Sequence, residues 1–197
     1  MKNILILISG SGSNMTAIVK TAERERWDKR YGARVAAVIS NKAQAPGLAW
    51  AKAQGIATHA LDHTAYPDRE AFDASLAQQI AVYDDPTNPA LVVLAGFMRI
   101  LTPGFVSRFT GRLLNIHPSL LPSFAGLQTH QRAIDAGCRV AGATVHQVTA
   151  ELDHGEILAQ AVVPVLPVDT AKTLAARVLT QEHLIYPQAI ASLLERM

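Results

Sequence analysis

A single cysteine, Cys138, stands in a chain of 197 residues, so no internal disulfide can form and no thiolate metal site has a second ligand. A reducing, cytoplasmic setting is expected. Aromatics make up only 6% and the net charge is +2, which withholds the basic, aromatic-studded stripe that a nucleic-acid surface needs. The densest cations, Arg24, Arg26, Lys29 and Arg30, read as a solvated helix end. No apolar run approaches the roughly 18 residues of a membrane span, and only Lys2 precedes the first run, so neither span nor secretory leader is expected. Repeats and low-complexity tracts are missing as well. What the chain does have is apolar mass, 49% of its residues, enough for one substantial core in a length too short for two full domains. One domain over 1–197 is expected.

Apolar, β-branched runs at 3–8, 34–40, 56–61 and 91–95 read as strands covered on both faces, as in a parallel sheet. Helical patterns separate them. Met15, Ile18 and Val19 give one helix, 47–54 another ended by Gly55, and Asp68 caps a third whose stripe is Phe72, Leu76, Ile80 and Val82. Residues 84–89 are turn-rich, and Pro103 opens a short helical stretch. Further on, 127–136 reads as a helix ended by Gly137, 140–148 as a strand with Gly142 as its bulge, and 157–165 as the returning strand. Thr170 caps a last helix that Pro187 interrupts or restarts. The expected fold is therefore α/β: a Rossmann-like open, mostly parallel twisted sheet with helices on both faces and an antiparallel hairpin in the C-terminal third. Ligands of such sheets lie beyond the carboxyl ends of the strands.

Three stretches fall at such ends. The turn Ser9-Gly10-Ser11-Gly12-Ser13-Asn14 lies between strand and helix, where glycines and a helix N-terminus suit a phosphate. It lacks the last glycine of a dinucleotide fingerprint and the lysine of a P-loop, so a monophosphate fits better than a nucleotide. An unoccupied tight turn would carry the same pattern. After the most apolar strand, 96–101 sets bulky apolar side chains where the wall of a flat pocket would lie, although ordinary core packing also accounts for them. In 111–122, alternation places Asn115 and His117 on one face, and Pro118 ends the strand just after them. An amide and an imidazole together offer N–H donors to a negative charge developing on oxygen, which suggests acyl or formyl transfer. A turn-closing Asn and a packed His with a wet tip are equally compatible with the spacing. The seven histidines contain no HExxH or similar ligand pattern, and no metal is expected.

Together the pieces resemble the folate-dependent formyltransferases, and among them the purine-synthesis branch. They are Ile-Ser-Gly-Ser-Gly-Ser-Asn at 8–14, Ala-Gly-Phe-Met-Arg-Ile-Leu at 95–101, Leu-Asn-Ile-His-Pro-Ser-Leu-Leu-Pro at 114–122, Ala-Thr-Val-His at 143–146, Glu-Leu-Asp at 151–153 and Gln-Glu-His at 181–183, in order along the chain. The resemblance implies direct transfer of a formyl group from N10-formyltetrahydrofolate to the amine of 5'-phosphoribosylglycinamide, with neither metal nor covalent intermediate. It implies a triad of Asn115, His117 and Asp153, the first two stabilising the oxyanion and the third acting as orienter and base. The substrate phosphate then falls on Gly10, Ser11, Gly12, Ser13 and Asn14, with ribose and glycinamide near Glu182. The folate falls against Met98, Arg99, Ile100, Leu101 and Asn115 and the turn Thr149, Ala150, Glu151, Leu152 and Asp153, while Arg69 meets its glutamate carboxylate. His146 is read as structural support for the triad strand.

Departures from the family pattern are Ala150, where relatives often carry an acid, His154, where a glycine is expected, and Ala125, which replaces a common proline. A positive φ at His154 would be strained. Within the enzyme class the rivals are methionyl-tRNA formyltransferase and formyltetrahydrofolate hydrolase. Each is expected to carry a further domain for which this length leaves no room. A catalytically silent module keeping the crevice is the alternative outside the enzymes, yet all three triad residues are present. Small-molecule substrates are the expected partners, and monomer and dimer stay open.

Overall fold

Ile4, Leu5, Ile6, Leu7 and Ile8 expose no surface, which requires a strand with cover on both sides of its sheet. The computed structural model describes residues 1–196, with strands β1 (Lys2–Ile8), β2 (Ala33–Ser40), β3 (Ala57–Ala60), β4 (Leu91–Leu94), β5 (Leu113–His117), β6 (Val140–Gln147) and β7 (Ile157–Pro164). The helices are α1 (Ser13–Arg24), α2 (Trp27–Arg30), α3 (Pro46–Ala53), α4 (Arg69–Ala81), α5 (Pro103–Arg108), α6 (Thr129–Asp135) and α7 (Ala171–Leu194). One sheet runs in the order β3-β2-β1-β4-β5-β6-β7. Pairing is parallel from β3 to β5 and antiparallel from β5 through β7. The strand order reverses between β1 and β4, so a crevice opens at their carboxyl ends.

Each face of the sheet has its own core. Ile4, Ile6 and Ile8 pack with Met15, Ile18 and the inner side of α7, while Leu5 and Leu7 pack with Phe72, Leu76, Phe105 and Phe109. The expected mixed α/β architecture is the one observed. Caps set two of the helices: the Asp68 carboxylate accepts from the Ala71 N–H at 2.7 Å, and Thr170 and Thr173 form a reciprocal capping box at the start of α7.

Four details differ from the expectations. The short helix α2 falls within the basic segment that reads as a mere helix end, and buried Trp27 anchors it to the core. Val82 is 72% exposed, because α4 ends at Ala81 and the apolar stripe stops with Ile80. Pro187 neither interrupts nor restarts α7, which runs unbroken through it. Proline inside a helix costs about 3 kcal/mol, but Ile185, Tyr186, Ala189 and Ile190 are buried around it, and the two isoleucines alone contribute about 1.5–3 kcal/mol each. The bulge of the hairpin lies between Val145 and His146, not at Gly142.

Gly142 has a different reason to be glycine. A Cβ built there would sit 1.9 Å from the Ala161 carbonyl oxygen and 2.7 Å from Leu120 Cδ2. Among the described residues, no helix is long and apolar enough to cross a membrane. Gly142→Ala is expected to destabilise the fold by about 1–3 kcal/mol through overpacking, read as a lower urea midpoint at unchanged slope.

Candidate active site

β5 carries the first two polar groups. Leu114 and Ile116 point into the α7-side core, so strand alternation turns Asn115 and His117 to the opposite face at the strand's carboxyl end. The antiparallel neighbour β6 sets His146 opposite Asn115 and Thr144 opposite His117. A third group arrives from the turn after β6. Asp153 adopts a left-handed backbone, φ 56°, and its side chain is only 7% exposed. It is Asp153, and not His154, that takes a positive φ in this turn, a conformation aspartate tolerates better than most residues. The His154 side chain is 58% exposed, beside Glu151.

The three polar groups meet. Asp153 Oδ2 lies 3.4 Å from His117 Nδ1 and accepts the Gly126 N–H at 2.9 Å. His117 Nε2 faces the Phe124 carbonyl at 3.1 Å, so both ring nitrogens stand against oxygen acceptors. Asn115 Nδ2 lies 3.2 Å from His146 Nε2, and the Asp153 Oδ1 is 3.9 Å from that same nitrogen. Burial pushes the His146 imidazole below its ordinary range. His146 thus adjoins the cluster through the Asn115 amide.

A second group gathers at the end of β1. The turn from Ser9 to Asn14 lines a cleft of about 240 Å³ shared with Lys42, Gly96 and Met98. Gly12 holds φ 69° at the start of α1, where a Cβ would approach Met15 Cε to 2.9 Å. No side chain caps this helix, which leaves its first N–H groups to a ligand. Asn14 is buried, donates from Nδ2 to Glu182 Oε2 at 2.6 Å, and has no partner for Oδ1. Burial pushes the Glu182 carboxyl above its usual range, opposed by the Asn14 hydrogen bond and by the charge of nearby His117. Glu182 therefore links the two groups across one crevice.

Sequence reasoning missed Lys42. Its signal was a lone cation two residues beyond the buried end of β2, at the same edge as the glycine turn. It also missed the tie between the turn and the wall: Ser9 Oγ accepts the Met98 N–H at 2.7 Å and donates to Asn41 Oδ1 at 2.5 Å.

In the segment beyond β4, Met98 and Ile100 are 70% and 60% exposed, which favours a ligand wall over core packing. Leu101 differs, packing against the sheet's second core. Arg99 lays its guanidinium over the Phe72 ring at 5.9 Å and leaves a buried Nε unpartnered. Arg69 is exposed at the first position of α4, one turn before Phe72 and outside the Asn-His-Asp cluster. Thr149, Ala150, Glu151 and Leu152 form the exposed outer rim of the turn, with Asp153 on its inner side. Among the described residues, no set of three or more His, Cys, Asp or Glu gathers as a metal ion requires.

The chain is similar to known proteins along nearly its whole length. The formyl transferase family matches residues 2–190. Phosphoribosylglycinamide formyltransferase of Escherichia coli strain K12 is 50% identical over 96% of this chain and 85% of its own length. The trifunctional purine biosynthetic protein adenosine-3 of Bos taurus is 42% identical over 95% of this chain, which spans only 18% of that larger protein. A solved structure, glycinamide ribonucleotide transformylase 1 from Symbiobacterium toebii, matches with a TM-score of 0.91 and 46% identity, covering 99% of this chain and 88% of that one. With nearly the whole length matched in sequence and in fold, the chain belongs to the formyl transferase family.

Proposed function

We propose that the chain transfers the formyl group of N10-formyltetrahydrofolate to the amine of 5'-phosphoribosylglycinamide in purine biosynthesis, in the cytoplasm, acting as one formyltransferase domain. The observation that carries this reading is the meeting of Asn115, His117 and Asp153 beside a glycine-turn cleft, in a chain half identical to a protein named for that acceptor.

The chemistry follows from the groups. The amine attacks the formyl carbon, a C–N bond forms, and the carbonyl oxygen takes the charge. The Asn115 amide N–H and the His117 imidazole N–H stabilise that oxygen, and each such donor is worth about 2.7–4 kcal/mol of barrier. The Phe124 carbonyl against His117 Nε2 occupies the kind of position the formyl oxygen would take in its place. Asp153, 3.4 Å from His117 Nδ1 on the other side of the ring, holds the imidazole in place and takes the proton that the amine loses, directly or through a water. The bond to the folate N10 then breaks, and that nitrogen recovers a proton as it leaves.

The acceptor's phosphate would lie on the turn from Gly10 to Asn14, against the unpaired N–H groups of α1, with Lys42 supplying countercharge. Glu182 would receive the ribose hydroxyls or the glycinamide. The pterin would rest on the Met98, Arg99, Ile100 and Leu101 wall and the turn from Thr149 to Asp153, and Arg69 would meet the glutamate tail.

Purified protein given formyl-folate and phosphoribosylglycinamide is expected to consume the donor and yield formylated acceptor, whereas transfer only to water or to methionyl-tRNA would reject the assignment. Asp153→Asn and His117→Ala are expected to lower kcat by about 10²- to 10⁴-fold with KM changed little, as steady-state kinetics would read. Lys42→Met and Gly12→Val are expected to weaken the phosphorylated acceptor about tenfold or more by calorimetry, leaving folate affinity unchanged. Because the folded Glu182 holds its proton more tightly than the unfolded chain, its charged form opposes folding as pH rises through the folded pKa. Glu182→Gln should therefore raise the melting temperature near neutral pH, with the gain shrinking on acidification, while the acceptor's KM increases.

A further inference from the structure

Asn115 and His146 face each other across the β5–β6 pair, and the His146 ring is almost wholly buried. Its Nδ1 lies 2.9 Å from the Gln147 carbonyl oxygen, which can only accept, so the ring proton belongs on Nδ1. A neutral imidazole has no second proton, and Nε2 is left as a bare acceptor. Burial opposes a second proton more strongly than Asp153, 3.9 Å away and beyond hydrogen-bond reach, favours one. The amide nitrogen of Asn115 is 3.2 Å from that bare Nε2. Turned the other way, the amide would set its carbonyl oxygen against a lone pair, a buried repulsive contact.

We propose that His146 is a positioning residue for formyl transfer, acting through Asn115: its Nε2 holds one Asn115 N–H and thereby fixes the second N–H of the same nitrogen as the donor to the reacting oxygen. This rests on the function proposed above and assigns His146 a part in it beyond support of the strand. No substrate contact by His146 is involved, since its two ring nitrogens are already committed within the protein.

Two substitutions separate this role from packing. His146→Gln can keep an oxygen acceptor where Nε2 stood, whereas His146→Asn can reach only the Gln147 side and leaves the Asn115 amide free to turn. His146→Asn is expected to lower kcat about 10- to 100-fold with both KM values within about twofold, and His146→Gln to recover to within about threefold of wild type. In an Asn115→Ala background, His146→Asn is expected to cost nothing further. Equal losses in the Gln and Asn variants, a loss carried in KM, or a loss that persists without the Asn115 amide would overturn the assignment. Long-range 1H–15N spectra of the unsubstituted protein test it without any variant: a His146 ring protonated on Nδ1 is expected, and one protonated on Nε2 refutes it. The wild type is assayed alongside. Failure of wild type to formylate phosphoribosylglycinamide rejects the function itself, whereas an active wild type with additive losses rejects only the role of His146.

Discussion

A carboxylate withdrawn from water must find charge or donors, since an unpaired buried ion costs several kcal/mol. Asp153 meets that demand with two partners on one oxygen, the Gly126 N–H at 2.9 Å and the His117 ring at 3.4 Å. Those partners belong to different parts of the chain. His117 ends β5, Gly126 lies in the loop after it, and Asp153 sits in the turn between β6 and β7. The pair can therefore form only when strand, loop and hairpin are all in place. Neutral hydrogen bonds see to the loop. Thr144 Oγ1 donates to the Ser119 carbonyl at 2.7 Å and accepts the Leu121 N–H at 3.0 Å, and the Gln160 amide donates to the Leu121 carbonyl at 2.9 Å. The hairpin thus fixes both the acid and the segment that donates to it.

The parallel half of the sheet answers a different requirement. Two substrates must lie side by side, so a cleft must be open at the end of one strand while a wall rises from the next. The reversal of strand order between β1 and β4 does this, because the connections leave the sheet in opposite directions there. The glycine turn follows β1, the apolar wall follows β4, and Ser9 joins the two through the Met98 N–H. Formyl transfer as proposed would occur where this crevice meets the antiparallel half, with Glu182 and His117 close enough to sense each other's charge.

Local physics made the strands and most helices legible in the sequence, since runs such as Ile4 to Ile8 admit no other burial and Asp68 and Thr170 are caps wherever they stand. The Asn115 and His117 pair was legible through alternation alone, and only the family resemblance brought in Asp153. No spacing rule could place a residue 36 positions beyond His117 against its ring. What stayed hidden depends on approach between distant backbones. Gly142 is glycine because of Ala161, not because of a bulge at its own position. Pro187 is tolerated because of what its neighbours bury, a tertiary gain invisible in a helix pattern. The left-handed residue of the turn between β6 and β7 is Asp153, one position before the His154 that departs from the family pattern, and there the backbone turns the carboxylate inward.

That unbroken α7 has a mechanical consequence. Glu182 and Tyr186 lie four residues apart, hence on one face of the helix. Glu182 takes the Asn14 amide of the glycine turn at 2.6 Å. The fully buried Tyr186 hydroxyl reaches the carbonyl of Leu94 at 2.9 Å and that of Leu114 at 3.2 Å. Leu94 is the last residue before the wall segment, and Leu114 immediately precedes Asn115. One helical turn is therefore bonded to the first turn of α1 beside the glycine-turn cleft, to the last residue of β4 before the wall, and to the β5 residue next to Asn115. A break at Pro187, one residue later, would loosen the face just where it meets β4 and β5. Reacting atoms must be held near 3–3.5 Å for attack, and about 1 Å of misplacement can cost a hundredfold in rate. A continuous helix tied to all three places restricts that displacement with hydrogen bonds from a carboxylate and a phenol one turn apart.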